Sequence, residues 1–164
     1  MSEPLATGLT AVQKRAMNVL GSRMLSRGAM ERRLRELGET DDDAAATADW
    51  LVRIGLIDDA EFARELVRGC VRRGLGIRRI HMELHKRLVP RELWDDALEE
   101  IEDDAAQRAA VQFIEKKLRG AAVSPDERRR VSDALARRGF KWDEIRAAWT
   151  EYESGLDDNE NASD

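Results

Sequence analysis

The stretch "RRVSDALARRGFKWDEIRAAW", Arg129–Trp149, decides how this sequence is expected to fold. It carries an apolar stripe, a pair of arginines, a Gly-Phe break and then a second apolar stripe. Val131 with Leu135, and Ile145 with Trp149, have the i, i+4 spacing that places side chains on one face of an α-helix. The stretch therefore predicts two amphipathic helices joined by a short turn.

Two similar patterns lie upstream, each about fifty residues from the next. In the three copies the corresponding residues are Met30, Leu34 and Gly38; Ile80, Leu84 and Leu88; and Val131, Leu135 and Gly139. Each of these copies predicts a pair of helices, and another candidate helix precedes each pair. The apolar stripes of these preceding helices are Met17, Leu20 and Met24; Phe62, Leu66 and Cys70; and Val111, Ile114 and Leu118. A period of this size is typical of helical repeat proteins.

The fold class expected from this pattern is all-α, with three tandem three-helix, helix-turn-helix-like repeats forming an elongated, curved array. The predicted ranges are a flexible N-terminus at 1–9, repeats at 10–57, 58–104 and 105–153, and a disordered acidic tail at 154–164. Three short helices bury little surface alone, so neighbouring repeats should share side chains at their junctions. The alternative is one compact bundle whose self-similarity is fortuitous.

Turn and capping residues support these boundaries. The N-terminal signals are Thr40 before three aspartates, Asp58 with Glu61, Pro90 before Trp94, and Ser124 with Pro125 and Glu127. Gly38 and Gly139 stand where a left-handed residue closes a helix. Leu88 replaces glycine in the middle repeat, which predicts that this turn closes differently.

Composition narrows the classes of function. Charged residues form 37% of the chain, and no apolar run approaches 20 residues, so neither export nor membrane spanning is indicated. Cys70 is the only cysteine of the sequence, which fits a reducing, cytoplasmic location. The protein is expected to be a monomer. Residues 11–91 carry a net charge of +5 and residues 92–164 a net charge of −9, which favours contact with a polyanion at the front of the chain.

Several stretches resemble the RecX family, bacterial regulators of the RecA recombinase. They are "RMLSRGAMERRLRELG" (Arg23–Gly38), "GLIDDAEFAREL" (Gly55–Leu66), "GIRRIHMEL" (Gly76–Leu84) and "ALARRGFKWDEIRAAW" (Ala134–Trp149). The resemblance extends from about Val12 to Tyr152, and the order and spacing of the pieces make it specific. Ala29-Met30 and Leu88 depart from the family's usual Glu-Leu and glycine.

The resemblance implies a regulatory protein that lies along the groove of RecA–DNA filaments. Such proteins suppress strand exchange, ATP hydrolysis and the co-protease action of RecA, thereby modulating recombination and the SOS response. The expected partner is therefore the RecA filament, with single- or double-stranded DNA within it. An extended repeat protein could supply many modest contacts along such a polymer.

Arginines are the candidate contact residues, since guanidinium groups bind phosphates and carboxylates bidentately and remain charged. The densest group is Arg68, Arg72, Arg73, Arg78 and Arg79. Arg64, Arg68 and Arg72 are spaced i, i+4, i+8 and therefore align along one face of a helix. Further candidates are Arg32 and Arg33, and Arg137 with Arg138. Local pairing with acids such as Glu61 and Glu65 is the competing interpretation.

No residue pattern indicates catalysis, a metal or a cofactor. His81 and His85 have a zinc-compatible spacing, but the intervening Glu83 is displaced from the metalloprotease position and no third ligand is evident. Cys70 is expected to be buried, and Trp94 and Trp149 are expected to pack inside. Trp142 is expected to be the most exposed of these tryptophans.

A second function stays open, that of a stand-alone helical DNA-binding module. Three-helix units resemble helix-turn-helix domains, which bind the major groove of DNA. An autonomous DNA-binding domain is usually strongly basic, whereas only the front half of this chain is mildly so.

Overall fold

The computed structural model describes residues 8–162, and this part of the chain consists of helices, turns and loops without a strand. The α-helices are α1 (Ala11–Leu20), α2 (Arg27–Glu36), α3 (Asp41–Arg53), α4 (Asp59–Arg72), α5 (Ile77–Lys86), α6 (Trp94–Leu98), α7 (Ala105–Leu118), α8 (Pro125–Arg137) and α9 (Trp142–Asn161). A 3₁₀ turn, Arg91–Leu93, leads into α6. The all-α, tandem three-helix prediction is confirmed. Among the described helices, none has the length and apolar character needed to cross a bilayer.

Helix starts follow the capping residues read from the sequence. Thr40 accepts a hydrogen bond from the Asp43 amide, and Ser124 and Glu127 form a reciprocal capping box at the start of α8. The Asp58 carboxylate accepts from the Glu61 amide at 3.1 Å. These side chains satisfy amides that lack partners within the first helical turn.

The turn that follows the second helix is the same in all three repeats. The amides of Glu39, Val89 and Phe140 donate to the carbonyls of Leu34, Leu84 and Leu135, each five residues earlier, at 3.1, 3.1 and 3.2 Å. Gly38 and Gly139 both have φ +97°, and Leu88 adopts φ +57°. The prediction that the Leu88 turn closes differently is wrong, because the hydrogen bonds outweigh the cost of a left-handed leucine.

The chain divides into two compact units. Unit 1 comprises residues up to Arg64 together with Leu84–Ala97, and unit 2 comprises Glu65–Glu83 together with residues from Leu98 onward. The core of unit 1 contains Ala16, Leu20, Met30, Leu34, Ala44, Ala48, Leu51 and Ile57. The core of unit 2 contains Ala110, Ile114, Leu118, Val131, Leu135, Phe140, Ile145, Ala148, Trp149 and Tyr152.

On α1 and α4, the first helices of the first two repeats, the buried side chains differ from the apolar stripes predicted from the sequence. Met24 is 47% exposed because α1 ends at Leu20, so Met24 lies beyond the helix. On α4 the buried side chains include Val67, whereas Leu66 is only half-buried. The buried face is therefore rotated slightly from the predicted one.

The acidic tail is more ordered than predicted. Residues 154–161 continue α9 instead of forming a disordered segment, so that expectation is wrong for these residues. Adding residues to an existing helix costs little, and no proline interrupts this one. The expectation of a flexible N-terminus falls largely on residues 1–7, which lie outside the described part of the chain.

Candidate functional site

The start of α5 is joined to the end of α8 through the backbone. The Gly76 amide donates to the Arg138 carbonyl at 2.8 Å, and the Arg78 amide donates to the Gly139 carbonyl at 3.2 Å. Free amides at a helix start and free carbonyls at a helix end thus satisfy each other. We call this contact the second junction.

Glycine is required on both sides of the second junction. A Cβ on Gly76 would lie 2.4 Å from the Gly139 carbonyl carbon, and a Cβ on Gly139 would lie 2.3 Å from the Arg79 nitrogen. Gly139 also has a left-handed φ, which a β-carbon disfavours. The close approach brings the arginines before and after these glycines onto one surface.

A concave surface with a volume of about 540 Å³ lies beside this contact. It is lined by Arg73, Leu75, Arg79, Glu83, Arg137 and Arg138, and we call it the basic cleft. A smaller hollow of about 210 Å³ shares Arg73 and Arg138 and adds Arg72, Gln112, Phe113 and Lys116. Cations therefore outnumber carboxylates in both, which favours binding of an anion.

Three cleft arginines are anchored by local contacts. Arg79 forms an ion pair with Glu83 at 3.5 Å, and Arg138 donates to the Arg73 carbonyl at 3.1 Å while lying over the Phe113 ring at 4.7 Å. The Arg73 Nε donates to the Gly69 carbonyl at 3.3 Å. These contacts restrict the side chains without neutralising Arg73 or Arg138.

Arg72, Arg78 and Arg137 are exposed. Within the described residues, none of the three forms an ion pair with a carboxylate. Their charge is thus available to an external anion.

The remaining predicted arginines face carboxylates of their own unit. Arg64 pairs with Glu61 at 2.9 Å, and Arg68 pairs with Glu65 at 2.5 Å and with Glu100 at 2.8 Å. The Glu100 and Glu65 hydrogen bonds raise the pKa of Arg68. The regular spacing of Arg64, Arg68 and Arg72 therefore does not give a uniformly unpaired face.

Arg32 and Arg33 belong to unit 1 and lie near one acid. Their distances to Glu36 are 4.0 and 3.2 Å.

The sequence prediction grouped arginines along the chain, whereas the structure combines Arg73 and Arg79 with Arg137 and Arg138. The sequence prediction also missed Glu83 and Lys116 as members of this surface. The signal available in the sequence was the offset between the repeats, which aligns α5 with α8.

Other candidate side chains have structural surroundings. Cys70 is fully buried, as predicted. Trp94 and Trp149 are also buried and donate to the Val89 carbonyl and the Ser132 hydroxyl, whereas Trp142 is 49% exposed. Among residues 8–162, no three His, Cys, Asp or Glu side chains are placed to hold a metal ion.

Acids of the segment 92–104 take part in ion pairs with arginine. Arg108 binds Glu102 at 2.5 Å and Asp104 at 2.6 Å, and both carboxylates are largely exposed. The Glu102 hydrogen bond and the Asp104 charge raise the pKa of Arg108. These contacts describe a solvated charged surface and not a pair of carboxylates arranged for acid–base catalysis.

Comparison with known proteins places these features in a family. Residues 58–98 match the family model for "RecX, second three-helix domain", and residues 103–149 match that for "RecX, third three-helix domain". The crystal structure of RecX from Lactobacillus salivarius superposes with a TM-score of 0.75 at 23% identity, covering 87% of this chain and 94% of the other. This last likeness concerns the fold.

Sequence relatives extend the match. The regulatory protein RecX of Mycolicibacterium vanbaalenii is 37% identical over 133 residues, covering 76% of this chain and 72% of the relative. The regulatory protein RecX of Chromohalobacter salexigens is 35% identical, with 81% and 87% covered. The chain therefore belongs to the RecX family of regulatory proteins.

Proposed function

We propose that this chain is a cytoplasmic, non-enzymatic regulator that binds RecA nucleoprotein filaments and inhibits RecA. Inhibition would extend to strand exchange, ATP hydrolysis and co-protease action. Family membership supports a regulatory role, and the basic cleft supports contact with a negatively charged assembly. The observation that carries the proposal is the joining of arginines from two repeats beside the second junction.

The cleft has the chemistry required for such contact. Arg137 projects into solvent without a carboxylate partner in the described chain, while Arg73 and Arg138 are held by carbonyl groups that leave their charge intact. Prior anchoring lowers the conformational entropy lost on binding. Contacts of this kind weaken as salt rises, so inhibition should be salt-sensitive.

The direct test follows DNA-dependent ATP hydrolysis by RecA filaments as the protein is added. Wild-type protein should inhibit at stoichiometric amounts. A variant with Arg137→Glu in the basic cleft and Arg72→Glu in the adjoining smaller hollow should require at least about tenfold more protein, a difference of about 1.4 kcal/mol. The matched control, Arg129→Glu with Arg130→Glu, makes the same change in charge on exposed α8 residues outside the cleft. Absence of inhibition by the wild-type chain would contradict the proposal.

The three-helix architecture supports a second candidate, a stand-alone DNA-binding module. Helix-turn-helix domains use one helix of such a unit for the major groove. Affinity for duplex DNA at physiological salt, measured without RecA, separates the two functions. Tight and sequence-dependent binding would favour the module, because backbone contacts alone give little sequence preference.

A further inference from the structure

The arrangement that forms the basic cleft recurs in unit 1. At the start of α2 the Ser26 hydroxyl donates to the Arg87 carbonyl at 2.5 Å, while a Cβ on Gly28 would lie 3.1 Å from the Leu88 Cβ. In the repeat alignment Ser26 corresponds to Gly76, and Arg87 corresponds to Arg138. The carbonyl at equivalent positions therefore accepts a hydrogen bond in both units, from a hydroxyl in unit 1 and from an amide in unit 2. We call this contact the first junction.

A side-chain contact repeats as well. The Arg23 Nε donates to the Val19 carbonyl at 3.3 Å, and the Arg73 Nε donates to the Gly69 carbonyl at 3.3 Å. Each guanidinium thus folds back on the carbonyl four residues earlier, at the end of a first helix. The acceptor carbonyl and the arginine contact repeat while the donor to the carbonyl differs, so the two junctions are related constructions.

The first junction retains the positive charge. Arg23, Lys86 and Arg87 occupy the positions of Arg73, Arg137 and Arg138, and all three are exposed. Within the described residues they form no ion pair with a carboxylate. The position of Glu83, the one carboxylate of the basic cleft, is taken by Arg33, whose partner is Glu36 at 3.2 Å.

We infer that the first junction is a second anion-binding surface and that its ligand is the phosphodiester backbone of single-stranded nucleic acid. The inference rests on the proposed function, since it assumes that the equivalent basic cleft contacts a nucleoprotein filament. Lysine and arginine without a neighbouring carboxylate bind phosphate through charge-assisted hydrogen bonds. Contacts to phosphate oxygens position a nucleic acid without contacting its bases, so we expect this binding to be independent of sequence.

The test uses Lys86→Glu with Arg87→Glu in the full chain. The Arg87 group within the junction is its carbonyl, so changing the side chain leaves the Ser26 hydrogen bond available. Binding to a fluorescent oligothymidylate is measured by anisotropy across a series of salt concentrations. Affinity should fall at least about tenfold at low salt, and the salt slope should decrease by about 1.4, or about 0.7 for each phosphate that is no longer neutralised.

Arg129→Glu with Arg130→Glu is the matched control, because it changes the net charge equally on an exposed helix face. It should retain most of the affinity and salt slope. Equal losses of affinity in the two variants, or no loss in the junction variant, overturn the inference. Thermal melts followed by circular dichroism show that each variant is folded.

The same proteins are assayed for inhibition of RecA ATP hydrolysis, which separates this inference from the proposed function. A wild-type chain that inhibits RecA but does not bind oligothymidylate at about 50 mM salt overturns the inference alone. A chain that binds oligothymidylate through Lys86 and Arg87 but leaves RecA unaffected overturns the proposed function alone.

Discussion

The first and second junctions perform one structural task with different chemistry. In unit 2, Gly76 and Gly139 allow two backbones to come within hydrogen-bonding distance. In unit 1, the Ser26 hydroxyl reaches the Arg87 carbonyl, and Leu88 fills the space beside Gly28. Equivalent positions in the repeat alignment therefore tolerate different side chains.

The difference shows how a repeat can vary at its contacts without losing its fold. A hydroxyl and an amide can each supply the missing donor to a helix-end carbonyl. The closer approach in unit 2 excludes any side chain, whereas the wider contact in unit 1 admits one. Substitutions at the second junction should therefore be more damaging than those at the first.

The largest effect is expected for Gly76→Ala. The added methyl would lie 2.4 Å from backbone that is itself hydrogen-bonded, so the free energy of unfolding should fall by about 3 kcal/mol. Urea denaturation measures the change. Gly155→Ala is the matched control, because a Cβ there meets nothing within 4 Å and alanine favours the helix. Equal stability of the two variants would show that the second junction is not tight.

Ser26→Ala should have an intermediate effect at the first junction. It removes the cap on the Ala29 amide and the donor to the Arg87 carbonyl, which together should cost about 2 kcal/mol of unfolding free energy. Thr40→Ala removes a cap alone and should cost about 1 kcal/mol. Urea unfolding of both variants isolates the junction bond as their difference, and an equal cost would argue against it.

Leu88→Gly should bring the first junction closer to the second. Relief of the left-handed leucine should stabilise the chain by about 1 kcal/mol, although the packing of the leucine side chain beside Gly28 is removed. The reciprocal change, Gly38→Ala, adds a Cβ that meets nothing within 4 Å and should destabilise by about 1 kcal/mol through φ alone. A clear destabilisation by Leu88→Gly would show that packing against Gly28 dominates.

The smallest expected change in stability concerns Glu127, in the first turn of α8. The C-terminal end of the same helix leads into the second junction. The Ser124 amide and hydroxyl lower the pKa of Glu127, so ionised Glu127 adds stability above its unfolded pKa, and this stability is lost as pH falls through the folded pKa. Glu127→Gln should therefore lower the urea midpoint slightly at neutral pH and match wild type at strongly acidic pH. A difference in urea midpoint between Glu127→Gln and wild type that persists at strongly acidic pH would contradict the role of Glu127 ionisation.

Much of the fold was predictable because helical periodicity and caps are local properties. Leu34, Leu84 and Leu135 are buried, and Ser124 caps α8, as the sequence indicated. The extent of α9 was not predictable from composition, because an acidic, polar segment is typical of disorder as well as of an exposed helix end. The left-handed Leu88 was also unexpected, since its turn is closed by the Val89–Leu84 hydrogen bond, which is equivalent to those of the other two repeats, in a conformation that leucine disfavours.

The candidate site was only partly visible in the sequence. Arg73, Arg79, Arg137 and Arg138 were identified individually, but their grouping depends on contacts between residues about 60 apart. The pairing of Arg68 with Glu100 was likewise hidden by sequence separation. Which arginines are neutralised is a property of three-dimensional proximity.

By itself the sequence determined an all-helical chain built from three related units, because apolar spacing and capping act over a few residues. Tertiary structure alone decided that Gly76 meets Gly139, that Ser26 meets the Arg87 carbonyl, and which cations remain without acids. The physical reason is that hydrogen bonds at helix ends and electrostatic pairing depend on distance in space, which separation along the chain does not specify.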